Sequence, residues 1–172
     1  MGNSGIGVPL PELAAYCREA AAEGAVLLKN EGHMLPVKKD ETVSIFGRSQ
    51  IEYYRSGTGS GGAVNVPYVK NILDGIKENN VFPVNEELVE IYKEWLKEHP
   101  FDNGGGGWAA EPWHQAEMEI TDEIARRAAE KSEKAIFLIG RTAGEDKDYE
   151  DTEGSYLLTK REKENLRIVT KR

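Results

Sequence analysis

Apolar positions along the chain first fall on helical steps. From Pro11, the residues Leu13, Cys17, Ala20, Ala21 and Leu28 recur at three- and four-residue intervals or their sums, which predicts one helical stripe with Cys17 as a small core residue. Pro11 suits a first turn, and Asn30, Glu31 and Gly32 supply a stop. A charged turn, Lys38 to Glu41, then gives way to the apolar run Val43-Ser44-Ile45-Phe46-Gly47, which predicts a buried strand. Pro67 to Asn79 is expected to be a helix with Val69, Ile72, Leu73 and Ile76 on one face. Val81 to Val84 predicts a short strand, confined to an edge or weakened by Pro83. Asn85 is placed to cap a helix over Glu86 to Glu98, with Leu88, Ile91, Tyr92 and Trp95 inward.

The pattern breaks between Pro100 and Pro112, where four glycines, Gly104 to Gly107, stand between Phe101 and the tryptophans Trp108 and Trp113. Glycine content alone predicts a mobile excursion there. Thr121 to Ser132 is again helical. Lys134 to Gly140, centred on Ala135-Ile136-Phe137-Leu138-Ile139, is the clearest strand, and its near-continuous apolar run predicts a parallel sheet covered on both faces. A charged loop, Arg141 to Leu158, precedes a helix starting at Thr159 with Leu166 and Val169 inward.

This alternation predicts an α/β domain, a mostly parallel sheet flanked by helices with right-handed crossovers. Residues 1–10, rich in Gly and Pro, read as a lead-in and residues 11–172 as the domain. No strand follows the last helix, so the sheet is expected to be incomplete at its C-terminal end.

Composition narrows the function. Of the residues, 39% are hydrophobic and 30% charged, an ordinary globular mixture. A formal charge of −8 argues against nucleic acid, whose binding runs on Lys and Arg. No apolar run reaches the length of a bilayer span. The single cysteine, Cys17, allows no intrachain disulfide, which together with the absence of a signal-like N-terminus leads to an expected cytoplasmic location. His33, His99 and His114 lie far apart without metal-ligand spacing, so neither a metal nor a cofactor is expected.

Two segments carry candidate chemistry. Gly57-Thr58-Gly59-Ser60-Gly61-Gly62 formally matches G-x-G-x-x-G. A dinucleotide fold needs that motif at the strand end and opening a helix, whereas here it stands well beyond Gly47, with Pro67 before the helix body. A bland flexible loop and a loop whose bare backbone lets a ligand approach both remain open. Tyr53, Tyr54 and Arg55 precede it at the carboxyl end of the first strand, where ligands of open α/β sheets collect. Aromatics and Arg suit a sugar, although the tyrosines could equally cover the core edge. The second segment, Arg141-Thr142-Ala143-Gly144-Glu145-Asp146-Lys147-Asp148, leaves the best strand directly, so both loops are expected on one rim. Glu145 lies early in it, beside Arg141 and Lys147. A general acid must hold a proton near neutral pH, which burial or a neighbouring carboxylate provides. A solvated acidic loop is the bland alternative.

Several blocks together resemble a known family. Glu23-Gly24-Ala25-Val26-Leu27-Leu28-Lys29-Asn30-Glu31-Gly32 followed by Leu35-Pro36, the strand Val43 to Gly47, the stretch Tyr53 to Gly62, the loop Ile139 to Asp146, and Gly154-Ser155-Tyr156-Leu157-Leu158-Thr159 are similar to the α/β-sandwich domain of family 3 glycoside hydrolases of β-glucosidase type. The resemblance runs from about Ala20 to the end. It implies a retaining double displacement in which a barrel domain supplies an aspartate nucleophile and the sandwich domain the general acid/base. By position Glu145 matches that acid/base. Tyr54, Arg55, Arg141 and Asp148 are expected to line the sugar site. The sequence departs from the common Glu-Gly-x-Asp-Arg pattern with Asp146 and Lys147, and its loop runs long, which keeps Glu150 and Glu153 open as the acid. The expected partners are a β-linked glucoside or oligosaccharide and a barrel domain of the same enzyme. No barrel motif precedes Glu23, so this stretch alone is expected to be inactive. A non-catalytic carbohydrate-binding or interaction module is the alternative, and nucleotide binding a weaker one. An uncovered strand edge leaves a homo-oligomer open.

Overall fold

The computed structural model describes residues 10–54, 58–60 and 68–171. The chain divides into two compact units, residues 1–37 with 65–68, and residues 38–64 with 69–172.

In the first unit, helix α1 spans Leu13–Glu23 and ends at Gly24, whose N–H bonds the Ala20 carbonyl at 2.9 Å. The stop therefore comes before Leu28, which lies outside the helix, rather than at Asn30 to Gly32. Gly24 ends the last turn and the following residues are not helical. Cys17 is exposed, not a core residue, and none of the described residues of this unit is buried. Asn30 brackets Leu35, giving its Nδ2–H to the Leu35 carbonyl and accepting the Leu35 N–H, both at 2.9 Å.

The second unit is built on β1, Val43–Phe46, and β2, Lys134–Phe137, which pair in parallel with Val43 opposite Lys134 and Phe46 opposite Phe137. All four β1 residues are buried. On its other edge β1 meets Val84 in a single parallel bridge, where Val43 donates to the Pro83 carbonyl and accepts the Asn85 N–H, both at 2.9 Å. The expected strand Val81 to Val84 is reduced to that bridge, since Pro83 has no N–H to extend the ladder.

Helix α2, Ile72–Glu78, starts later than expected because Asn71 caps it, accepting the Asp74 N–H at 2.7 Å; Val69 lies outside it and Leu73 is its buried residue. Helix α3, Glu86–Glu98, follows its predicted cap Asn85, and its Leu88 and Tyr92 are buried with Ile91 and Trp95 packed alongside. Helix α4, Asp122–Lys131, is capped by Thr121. Helix α5, Lys160–Val169, begins in a reciprocal capping box of Thr159 and Glu162. Its buried residues are Glu162, Asn165 and Ile168, while the expected Leu166 and Val169 flank that face. The core joins Phe46, Leu88, Tyr92, Met118, Ile120, Ala125, Ala128 and Ile168.

β2 is less covered than its apolar run predicts. Phe137 stacks on Phe46 at 6.3 Å between ring centroids, yet Ala135 is exposed and Ile139 is 40% exposed. Among the described residues β2 pairs only with β1. A cavity of ≈ 140 Å³ beside Ala135, bounded by Phe46, Ala125, Ala128 and Val169, is left unfilled there. No described helix is long and apolar enough to cross a membrane.

Candidate active site

Both strands end at the same rim. At the end of β1 the chain turns through Gly47, with φ 98°, so close to the second strand segment that a Cβ would stand 2.2 Å from the Leu138 carbonyl oxygen. Only glycine serves there. The turn is fixed from beneath. Tyr92 Oη accepts the Gly47 N–H at 2.7 Å, and buried Gln50 donates to the Ile45 carbonyl at 2.8 Å. Arg48 is buried at the same place. Its guanidinium bonds Glu52 and the carbonyls of Ala116 and His99 and lies 5.4 Å over the Trp95 ring. Glu117 accepts the N–H groups of Arg48 and Met118, and burial pushes its carboxyl above the ordinary range despite those bonds.

Tyr54 stands on this rim, half-buried. Its hydroxyl donates to the Pro112 carbonyl and accepts from Gln115 Nε2 at 3.0 Å, and its ring meets Phe101 edge-on at 5.2 Å. Burial pushes its phenol up to about 12. Its polar end is thus committed to the 101–115 segment. Arg55 lies outside the described residues, as do Gly57, Gly61 and Gly62.

The end of β2 brings the acidic loop to the Gly-rich one. Thr58 bridges Gly144 in parallel, with the Thr58 N–H on the Ala143 carbonyl at 3.1 Å and the Thr58 hydroxyl on the Glu145 carbonyl at 3.1 Å. The Glu145 carboxylate accepts the Ser60 N–H at 2.7 Å. Glu145 is exposed, faces the glycine loop, and makes no ion pair among the described residues. Among the described residues, the helix that follows the glycines in sequence, α2, begins at Ile72, with its N-terminus filled by Asn71.

Arg141 points its charge inward. It forms a bidentate pair with Glu162 at 2.7 and 2.6 Å and donates to the carbonyls of Ser155 and Gly140 at 2.9 and 2.8 Å. Its donors tie the loop to α5. Asp148 and Glu150 are exposed, and Glu153 pairs with Lys163 at 3.6 Å.

A third wall was not anticipated. The 101–115 segment, expected only as an excursion, is fastened to the acidic loop. Trp108 Nε1 donates to Asp146 Oδ2 at 2.9 Å, the Lys147 ammonium lies 5.4 Å over the Trp113 ring, and Thr142 donates its N–H to the Trp113 carbonyl at 2.9 Å. The tryptophans flanking the glycines were the one signal in the sequence, and no spacing pointed from them to Asp146 or Lys147.

Residues 25–171 match the family described as the glycosyl hydrolase family 3 C-terminal domain. The chain belongs to this family. The family 3 domain is 52% identical over 151 residues to a β-glucosidase of Ruminococcus albus, covering 88% of this chain and 16% of that protein. It is 33% identical over 128 residues to β-glucosidase A of Butyrivibrio fibrisolvens, covering 74% of this chain and 15% of that one. Among solved structures, a β-glucosidase from Paenibacillus barengoltzii superposes with a TM-score of 0.93 at 64% identity, over 98% of this chain and 18% of that chain. β-Glucosidase 3B from Thermotoga neapolitana, in complex with glucose, gives 0.77 at 28% identity over 94% of this chain and 23% of that chain. The family 3 domain thus spans less than a quarter of the length of each of these proteins.

Proposed function

We propose that this domain supplies the general acid/base of a retaining β-glucosidase, with Glu145 as the proton-transfer group and an aspartate nucleophile carried by a barrel domain outside these residues. The observation that supports it most is the bond between Ser60 N–H and Glu145 Oε2, 2.7 Å, which aims a carboxylate across the glycine loop at the shared rim of both strands. The names of the relatives point to a β-linked glucoside as substrate.

The chemistry runs in two steps. The barrel aspartate attacks the anomeric carbon while protonated Glu145 delivers its proton to the departing glycosidic oxygen. The Glu145 carboxylate then takes a proton from the water that displaces the aspartate and releases glucose with its anomeric configuration retained. A second domain closing over the rim excludes water from it, the setting in which a carboxyl serves as a proton donor.

The test is a chimaera in which residues 10–171 replace the matching domain of the Paenibacillus barengoltzii enzyme. Glu145→Ala is expected to lower turnover of cellobiose by about a hundredfold or more, the lower bound of typical general acid–base contributions. Azide should restore turnover of an aryl β-glucoside with a good leaving group. Near-normal cellobiose turnover would move the assignment to Glu150 or Glu153. The 172-residue chain alone is expected to leave an aryl β-glucoside intact, and clear hydrolysis by it would overturn the two-domain reading.

A further inference from the structure

We propose that Asn103 and Gly104 form a self-modifying site, at which the Gly104 nitrogen closes on the Asn103 side chain and converts it to aspartate and isoaspartate, with the Asp102 carboxylate as the latch that sets the rate. Asn103 is the chain's only asparagine followed by glycine. Both residues are exposed on the 101–115 segment. The fold itself demands the glycine: Gly104 holds φ 63°, and a Cβ there would stand 2.0 Å from the Ala110 carbonyl oxygen. The residue that the turn requires is therefore also the one that leaves the attacking nitrogen without a side chain to shield it.

Water is the only co-reactant. The Gly104 nitrogen gives up its proton to solvent and bonds to Asn103 Cγ, while the Cγ–Nδ2 bond breaks and Nδ2 takes a proton and leaves as ammonia. One water then opens the five-membered imide. Cleavage between the Gly104 nitrogen and Cγ restores the ordinary main chain with aspartate in place of Asn103. Cleavage between that nitrogen and the Asn103 main-chain carbonyl carbon gives isoaspartate, whose main chain runs through Cγ. Either product adds one negative charge to a chain of formal charge −8.

In the folded chain the site is held shut. The Gly104 N–H donates to Asp102 Oδ1 at 2.8 Å, and Asn103 Oδ1 accepts the Gly105 N–H at 3.0 Å. The first bond occupies the proton that must leave, and the carboxylate sets a like charge beside the nitrogen anion that departure would create. Asn103 has φ −95° and ψ 12°, so its own backbone nitrogen, not its Cβ, eclipses the Gly104 nitrogen across the Cα–C bond. A planar imide needs Cβ in that place, so the peptide must rotate before the ring closes, and both bonds oppose the rotation. Asp102 does not follow, because its N–H and carbonyl are tied to buried Gln115 at 2.7 and 2.9 Å. Once the latch opens, exposed Gly105 and Gly106, with φ 78° and 77°, give the chain the freedom to turn.

The test is incubation of the 172-residue chain at mildly alkaline pH, folded and in urea, with peptide mass mapping and an isoaspartate assay over time. Asn103 is expected to be the first asparagine to convert, and to convert more slowly in the folded chain than in urea. Asp102→Ala should raise the folded rate about tenfold, the scale of one hydrogen bond to a charged group, and leave the rate in urea nearly unchanged. Asn103→Ser, which keeps an oxygen for the Gly105 N–H, should abolish the early acidic species. Conversion that begins at another asparagine, or none at Asn103 in folded Asp102→Ala, would overturn the site. An equal or slower folded rate in Asp102→Ala would overturn the latch, since the carboxylate would then be idle or would itself be drawing off the proton.

Discussion

The Glu145 carboxylate and the Ser60 N–H meet at 2.7 Å across 85 positions of sequence, and Gly59 makes room for the contact. Gly59 has φ 83°, and a Cβ there would stand 2.4 Å from Glu145 Oε2 and 2.6 Å from Glu145 Cβ. A flexible carboxyl can swing away from the first clash. The second is fixed to the backbone, so Gly59→Ala must shift Glu145 itself. Misplacing a reacting group by about 1 Å costs on the order of a hundredfold in rate. Gly59→Ala in the chimaera is therefore expected to lower kcat on cellobiose tenfold or more (roughly, from that scale), with the far-ultraviolet circular dichroism unchanged. Unaltered kcat would show that this contact does not set the carboxyl's position.

Arg141 and Glu162 form the buried ion pair that holds the acidic loop to α5, with side chains 12% and 7% exposed. Burial alone pushes the Glu162 carboxyl up. The Arg141 guanidinium and the Thr159 N–H outweigh it and hold the carboxyl below the ordinary range. A carboxyl depressed in the folded state stabilises the fold fully above its unfolded value of about 4.3, and that stabilisation is lost as pH falls through the lower folded value. Urea unfolding of the 172-residue chain should therefore show a stability loss below about pH 4 that Glu162→Gln reduces. Arg141→Met strands the buried carboxylate and is expected to cost about 3 kcal/mol at pH 7. A pH profile that Glu162→Gln leaves unchanged would assign the acid sensitivity to other carboxyls.

What the sequence made legible follows from how local each signal is. Asn85 ahead of Leu88, Ile91, Tyr92 and Trp95 states a cap and a face within a few turns, and α3 formed as expected. Val43 to Phe46 states burial in four consecutive residues. The run from Ala135 to Ile139 states only an affinity for cover; whether neighbours supply it is a tertiary matter, and here Ala135 and Ile139 remain exposed. The site divided in the same way. Placing Glu145 and the glycine loop on one rim needed only strand direction, which the alternating pattern carried. Trp108 with Asp146, and Arg141 with Glu162, are pairs 38 and 21 residues apart with no periodic relation, so neither contact was legible in the sequence.

Asn165 is fully buried on α5, where it donates through Nδ2 to the Met118 carbonyl at 2.7 Å and accepts the Ile120 N–H at 3.0 Å. It thereby stitches α5 to the extended segment ahead of α4, and no apolar pattern could have announced it. Asn165→Asp keeps the acceptor and the shape but replaces the donor with a charge facing a carbonyl. A buried group left unsatisfied costs roughly 1–3 kcal/mol, more when charged, so a loss of about 3 kcal/mol at pH 7 is expected in urea unfolding. The introduced carboxyl would bind its proton more tightly folded than unfolded. The penalty relative to wild type should therefore shrink as pH falls toward about 4, where the protonated acid can again donate to Met118. A penalty that stays constant across this range would mean that solvent or a shift of α5 has relieved the charge, and that the Met118 bond is not what fixes the helix.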